Sequence, residues 1–503
     1  MRKIQLLLFI TAFNLHAFAQ MYEIIRPCVF YSSMVDSIEV TRIAFTENGT
    51  TLEFRIKTIT DPVSISDKAF IVESGGKRHE LLPDGLERKD SVHGNLSYSE
   101  SYILHFEPCM MSSVHCIDFY NGGNGLILGL HDPSVILDIP DREYMMSEDE
   151  TGYSVFRPGR IEITGKFPDN RLNGKKIFCQ YLHLYTDKDR ADRYAPINDD
   201  GTFDLSFAAD HPGMLSFFSL NEGDNMEEMH DLAWNIYARP GDRLEINFDL
   251  DKHKCVEVNN LDGRPDNLRY TNYAYNIIKR VSYEAVQADD LEKGRDDIRK
   301  TYEKNKELAR YIIWHDGFSD TEARLYLDDL LFSYTDGMSY VNQKAIEREN
   351  ILREEKNLPF LENLDSLNAL VDLSYLKELN PYNEGYLCNT YFMGAYSRTP
   401  PVFEQIRKDV YANHKNLSVA EKEVKILHEQ SDALNKITGW NGLTYIAQAM
   451  YVYKMYKILS SNGFKKLNTT EPLEAIQKEL THPYLINSAK EIYDNYVMDK
   501  HDR

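Results

Sequence analysis

Turn signals cut residues 161–250 into short alternating runs, and that punctuation constrains the fold more than any other feature of the 503-residue sequence. Ile161, Ile163 and Phe167 alternate with Glu162, Thr164 and Lys166. A side-chain period of two puts one apolar set on one face of a strand. Pro168, Asp169 and Asn170 stop that strand, and residues 176–185 form the next run, rich in aromatic and β-branched side chains. Asp199-Asp200-Gly201 then leads into the strict alternation of residues 202–207, which reads as a turn signal and a hairpin. Residues 214–220 and 234–238 follow, and the Pro-first turn Pro240-Gly241-Asp242 opens a last run at 244–250. Strands this short and this closely spaced predict an all-β sandwich of about 90 residues.

The segment before it reads the same way. Residues 38–45 and 51–57 alternate on either side of Glu47-Asn48-Gly49, a hairpin turn, and Ser74-Gly75-Gly76-Lys77 separates residues 69–73 from 78–82. Phe106 and Phe119 are expected core positions, and acidic residues 141–156 an interdomain linker.

After Asn259 the period changes from two to helical. Helices are expected at 267–286, 289–313, 319–355, 360–378, 402–412, 418–437, 445–460 and 471–496. Ser319 with Glu322 and Ser418 with Glu421 fit the capping box, in which each side chain satisfies the other's backbone donor. Leu325, Leu327, Leu330, Leu331, Tyr334 and Met338 trace an apolar stripe, as do Ile446, Ala449, Met450, Tyr453 and Tyr456. The expected fold is therefore multidomain β plus α: two β-sandwich-like domains of immunoglobulin or transthyretin type at 21–145 and 157–258, then an all-helical domain at 265–503.

The order Gly-Lys-Phe at 165–167, Asp-Gly-Thr-Phe at 200–203 and Ile-Tyr-Ala-Arg-Pro-Gly-Asp at 236–242 carries a resemblance. It is similar to the small β-domain ahead of the thioredoxin module in TlpA/ResA-like thiol-disulfide oxidoreductases of Gram-negative envelopes. Residues 102–108 and 117–122 resemble the N-terminal β-domain of longer members, and Thr481-His482-Pro483-Tyr484-Leu485 the helical lead-in to their thioredoxin module. The resemblance implies an envelope protein of the thiol-disulfide system. Its reactive signature, C-x-x-C, is missing from the sequence, so no redox residues carry over.

Arg2 and Lys3, apolar residues 4–13 and Ala17-Phe18-Ala19 predict a secretory leader at 1–19, cleaved after Ala19. No Cys follows that point, so a lipoprotein anchor is not expected, and no later run approaches the roughly 20 apolar residues of a membrane span. The expected location is periplasmic or secreted. A net charge of −22 disfavours nucleic acid and anionic lipid, whose binding needs Lys and Arg against phosphates.

Of six cysteines, Cys109 and Cys116 flank a short connection between strand-like residues 102–108 and 114–120. A hairpin there would bring them together as a candidate disulfide. His105 and His115 lie close by, without the paired spacing of a structural zinc site. Cys28, Cys179 and Cys255 read as small buried residues, and Cys388 falls in a helical stretch with no other Cys close in sequence. Residues 226–231 join acids to His230 in an expected loop. No nucleophile elbow, zincin or phosphate-loop motif occurs, so no catalytic, cofactor or metal residues are assigned. The tyrosines at 445, 451, 453 and 456 suit packing or a partner surface. The functional expectation is a non-catalytic scaffold or module binding a protein or peptide in the envelope. The alternative is a component of an envelope thiol-disulfide system.

Overall fold

The computed structural model describes residues 22–34, 38–58, 65–94, 97–109, 116–121, 125–142, 156–168, 170–181, 193–220, 230–249, 254–261, 291–361, 364–388, 401–460 and 471–496. The expected leader, most of the expected linker, His115, the run at 226–229 and the helix expected at 267–286 lie outside the described residues. So do the side chains of Cys255 and Cys388. The chain divides into two compact units: residues up to Arg142 together with Arg310–Phe318, and Glu143–Ala309 together with Ser319–Arg503.

In the first unit the strands are β1 (Tyr22–Ile25), β2 (Tyr31–Ser32), β3 (Ile38–Thr46), β4 (Gly49–Thr58), β5 (Phe70–Glu73), β6 (Lys77–Gly94), β7 (Ser97–Phe106), β8 (Cys116–Tyr120) and β9 (Leu126–His131). They form one antiparallel sheet in the order β1-β3-β4-β7-β6-β5-β8-β9-β2. Both expected turns close paired hairpins, Thr46 opposite Gly49 and Glu73 opposite Lys77. Strand β6 is the hinge of the sheet, because its start pairs with β5 and its remainder with β7. The register slips between Leu81 and Leu86, where Asp84 adopts φ 60° and a Cβ on Gly85 would lie 2.6 Å from the His105 carbonyl. One apolar core takes Ile24 and Val40 from one end of the strand order and Ile127 and Leu130 from the other, with Phe106 and Phe119 between them. The sheet therefore curls.

In the second unit the strands are β10 (Gly159–Lys166), β11 (Lys176–Tyr181), β12 (Tyr194–Pro196), β13 (Thr202–Ala209), β14 (Gly213–Leu220), β15 (His230–Ala238), β16 (Arg243–Asp249) and β17 (Lys254–Asn260). They form two four-stranded sheets, β13-β10-β16-β17 and β12-β11-β14-β15. The period of two works as read. Ile161 and Ile163 are buried opposite Phe207 and Leu205, while Glu162, Thr164 and Lys166 are exposed. Both sheets feed one core. The turn at Asp199-Asp200-Gly201 does not close a paired hairpin: it carries the chain from β12 in one sheet to β13 in the other. Pro240-Gly241-Asp242 also changes sheets, with Gly241 at φ 93° and the buried Asp242 carboxylate accepting the Arg239 N–H at 2.8 Å. That turn lays β16 parallel to β10. Strand β17 follows the last run expected at 244–250 and ends where the sequence periodicity changes.

The helices are α1 (Leu291–Asp316), α2 (Asp320–Glu355), α3 (Leu364–Leu370), α4 (Pro401–Asn413), α5 (Val419–Thr438), α6 (Tyr445–Ser460), α7 (Glu471–Glu479) and α8 (Pro483–Tyr496). Both capping boxes form, at Ser319 with Glu322 and Ser418 with Glu421. Two expected helices are broken instead. At 360–378 the side chain of Asn342 bonds the Asp372 N–H at 3.0 Å and carbonyl at 2.7 Å, replacing the helical ladder there. At 471–496 Pro483 starts a new helix, and Gln448 Oε1 accepts the Thr481 N–H at 2.9 Å. Tyr451, Tyr453 and Tyr456 are buried, as are Ile446, Ala449 and Met450 beside them. Among the described residues, no helix is long and apolar enough to cross a membrane.

Candidate functional site

Strand β8, Cys-Ile-Asp-Phe-Tyr, is buried along its whole length. Ile117 and Phe119 belong to the core of the curled sheet, so alternation turns Cys116, Asp118 and Tyr120 to the other face. Asp118 sits where the pairing of β8 with β9 slips, between Ile117 and Phe119. There the N–H of Gly129, at φ 68°, reaches Asp118 Oδ1 at 2.8 Å.

Segment Arg310–Phe318, which belongs to the same unit, supplies the remaining partners. Tyr311 and His315 stand four residues apart on α1 and so share a helix face. Their rings stack at 5.4 Å. The Tyr311 hydroxyl donates to Asp118 Oδ1 at 2.6 Å and lies 3.3 Å from Cys116 Sγ. His315 Nδ1 is 2.8 Å from Asp316 Oδ1 and 3.3 Å from Asp118 Oδ2, and its Nε2 is 3.4 Å from the Cys116 carbonyl. The helix end is fixed to the β5–β6 turn, since Gly75 N–H donates to the His315 carbonyl at 2.7 Å. Phe30 covers Tyr311, with ring centroids 4.6 Å apart.

Burial controls the charges. It pushes Asp118 up to about 6, with Asp316 adding, while His315, Tyr311 and Gly129 pull the other way. Burial works against a charged His315, yet Asp118, Asp316 and the Cys116 side chain outweigh it and hold the imidazole well above its ordinary value. Tyr311 is pushed well up by burial and by Asp118. The cluster thus favours a protonated imidazole beside the Asp118 carboxyl, with a neutral phenol. It can hold a helix to a strand or hold a cation, but the protonated His315 is a poor general base.

Cys109 lies in a different cluster, on the core side of the sheet. Its backbone N–H donates to Thr50 Oγ1 at 3.1 Å, and one ligand-type atom each from Glu73, His79 and Cys109 lies within 4.8 Å of the others. Burial first, then the Glu73 charge, push its thiol up to about 11, against the Thr50 hydroxyl and Lys77. Strands β7 and β8 do not form the expected hairpin, because β6 and β5 stand between them in the sheet. Cys109 and Cys116 are therefore in separate clusters, and both are free thiols here, as are Cys28 and Cys179. Burial also pushes Cys179 up, against the pull of Arg193. His105 is half-buried, with Thr51 Oγ1 3.1 Å from its Nδ1.

The helical part holds a buried carboxylate with an arginine partner. Glu423 takes two hydrogen bonds from Arg407 Nη2 and Nη1 at 2.6 and 2.9 Å, and the hydroxyls of Tyr411 at 2.6 Å and Tyr451 at 2.7 Å. Four donors on one carboxylate leave it fully engaged.

Cys116 was singled out by sequence, whereas Asp118, Tyr311, His315 and Asp316 were not. A signal existed: Asp118 is the one ionisable residue with a reference pKa below neutral inside an otherwise apolar strand, where burial without a partner is costly. Its partners were beyond reach, being almost 200 positions away. Fold and site together define a β-then-helical protein whose chemistry-bearing side chains are enclosed. No protein family model matches the chain, and no curated protein does.

Proposed function

We propose that the protein is a non-catalytic scaffold or partner-binding module of the cell envelope, periplasmic or secreted, with residues 1–19 as its leader. The observation carrying this reading is the direction of the Cys109 shift. A thiol that exchanges disulfides needs a lowered pKa, and burial takes Cys109 to about 11 instead. Enclosure of Cys116 and Cys179 points the same way. A protein or peptide partner is favoured because Ile25, Val29 and Phe30 leave large apolar side chains exposed within six residues of chain, at 56%, 43% and 39%. In the same reading the strand regions are sandwich-like domains of immunoglobulin or transthyretin type, similar to those of TlpA/ResA-like proteins. The second reading, a component of an envelope thiol-disulfide system, rests on that resemblance and on a Cys109–Cys116 pair.

Dithiothreitol-driven reduction of insulin separates the two. The first reading expects no acceleration over reductant alone. Acceleration that disappears in Cys109→Ser would establish the second. A pulldown from envelope extract with wild type and Phe30→Glu then tests the surface, and a partner retained equally by both would remove Phe30 from it.

A further inference from the structure

The β8 cluster has a feature that a helix anchor does not require. Asp118 Oδ1 is engaged by Gly129 N–H and the Tyr311 hydroxyl, but Oδ2, equally buried, accepts no hydrogen bond. Its nearest cationic neighbour is His315 Nδ1 at 3.3 Å, and that nitrogen is closer to Asp316 Oδ1, at 2.8 Å. Two carboxylates thus face one imidazole in a site closed to water, beside a thiol. A buried carboxylate oxygen that accepts no hydrogen bond, beside a second carboxylate competing for the same imidazole, is costly, and a divalent cation would satisfy both.

Cys116 Sγ, a ligand oxygen of Asp118 and a ring nitrogen of His315 lie within 4.8 Å of one another, all three residues buried. Thiolate, imidazole and carboxylate are the donor set of zinc. Ligands about 2.0–2.3 Å from a tetrahedral ion stand roughly 3.3–3.7 Å apart, and the separation of His315 Nδ1 from Asp118 Oδ2 falls in that range. The surroundings fit a metal's outer shell. His315 Nε2 faces the Cys116 carbonyl, which keeps a proton there, so that loss of the Nδ1 proton to an incoming metal would leave the Nδ1 lone pair directed inward. Tyr311 and Gly129 fix Oδ1, which aims Oδ2 at the centre.

We propose that Cys116 Sγ, Asp118 Oδ2 and His315 Nδ1 bind one divalent transition metal of zinc type, with Asp316 Oδ1 as the nearest fourth donor. Binding releases the Cys116 thiol proton and the proton on His315 Nδ1 to solvent, so metal affinity rises with pH. The site is structural: it ties the end of α1 to β8. It is independent of whether the protein binds a partner.

The test uses the full chain, stripped with a chelator and titrated with Co2+, whose thiolate complexes absorb in the near ultraviolet. One equivalent should bind with a thiolate band that persists in Cys109→Ala and disappears in Cys116→Ala. Tyr311→Phe should weaken binding roughly 10–100-fold while keeping the band, as loss of an outer-shell partner does. Should Cys116→Ala not fold, X-ray absorption at the zinc edge of Cys109→Ala should still find one sulfur with nitrogen and oxygen neighbours. Folded wild type that takes up no metal, or a sulfur signal that leaves with Cys109, overturns the proposal.

Discussion

Tyr311 and Asp118, 193 positions apart in the chain, share a buried hydrogen bond of 2.6 Å between a phenol hydroxyl and a carboxylate. Asp118 lies on a strand hydrogen-bonded to β5 and β9, and Tyr311 on the last turns of α1. Their contact fixes segment Arg310–Phe318 into the first unit, to which the rest of α1 does not belong.

Tyr311→Phe keeps the ring stacks on Phe30 and His315 and removes only the hydroxyl. Asp118 Oδ1 then loses one of its two donors without access to water. The expected cost is about 1–3 kcal/mol, read from urea unfolding followed by a probe in the first unit. An unchanged midpoint would show that the hydroxyl bond does not form.

Arg407→Met should be among the most damaging single changes in the helical part. It leaves Glu423 buried beside two tyrosines without its countercharge, at a cost of about 3–5 kcal/mol. Adding Glu423→Gln removes the stranded charge, so the double variant should recover part of the loss. Thermal unfolding of the three variants checks this, and a double variant no better than Arg407→Met would contradict the pairing.

His482 contributes to the pH dependence of the second unit. Burial among Phe156 and Tyr445 lowers its pKa below 6.5, with Glu384 opposing only in part. The folded chain therefore takes up the proton less readily than the unfolded one. Above 6.5 both forms are neutral and the effect vanishes; as pH falls through 6.5 stability is lost, until the folded histidine is itself protonated. Denaturation midpoints from about pH 8 down to about pH 5 should fall less steeply in His482→Gln than in wild type. Parallel curves would mean that His482 does not titrate in this range.

Thiol reactivity gives a direct reading of enclosure. Cys28 is exposed, whereas Cys109 is buried with its thiol raised to about 11. Brief alkylation of the native chain without reductant, mapped by mass spectrometry, should label Cys28 well before Cys109 and Cys179. A peptide pair joined through Cys109 and Cys116 would establish the disulfide instead.

Local patterns in this chain were legible and distant ones were not. Ser319 with Glu322, Gly49 at its hairpin and the alternation around Ile161 depend on neighbours within a few residues, and each has the expected geometry. The failures share a cause. The turn at Gly201 looks the same whether it joins paired strands or crosses between sheets, and only the pairing of β13 with β10 decides. The break at Asp372 depends on Asn342, a residue of another helix. Asp118 advertised itself as an ion in an apolar strand, but its partners Tyr311 and His315 sit in a segment whose helical period says only that they share a face.

The anchoring of segment Arg310–Phe318 on β8 is tested most directly by a double-mutant cycle on Tyr311→Phe and Asp118→Asn, with each variant's unfolding free energy measured by urea titration under chelating conditions. Residues in buried contact should couple, by about 1–3 kcal/mol for a charged hydrogen bond. Additive single effects would contradict the contact and, with it, the fixing of Arg310–Phe318 to the curled sheet.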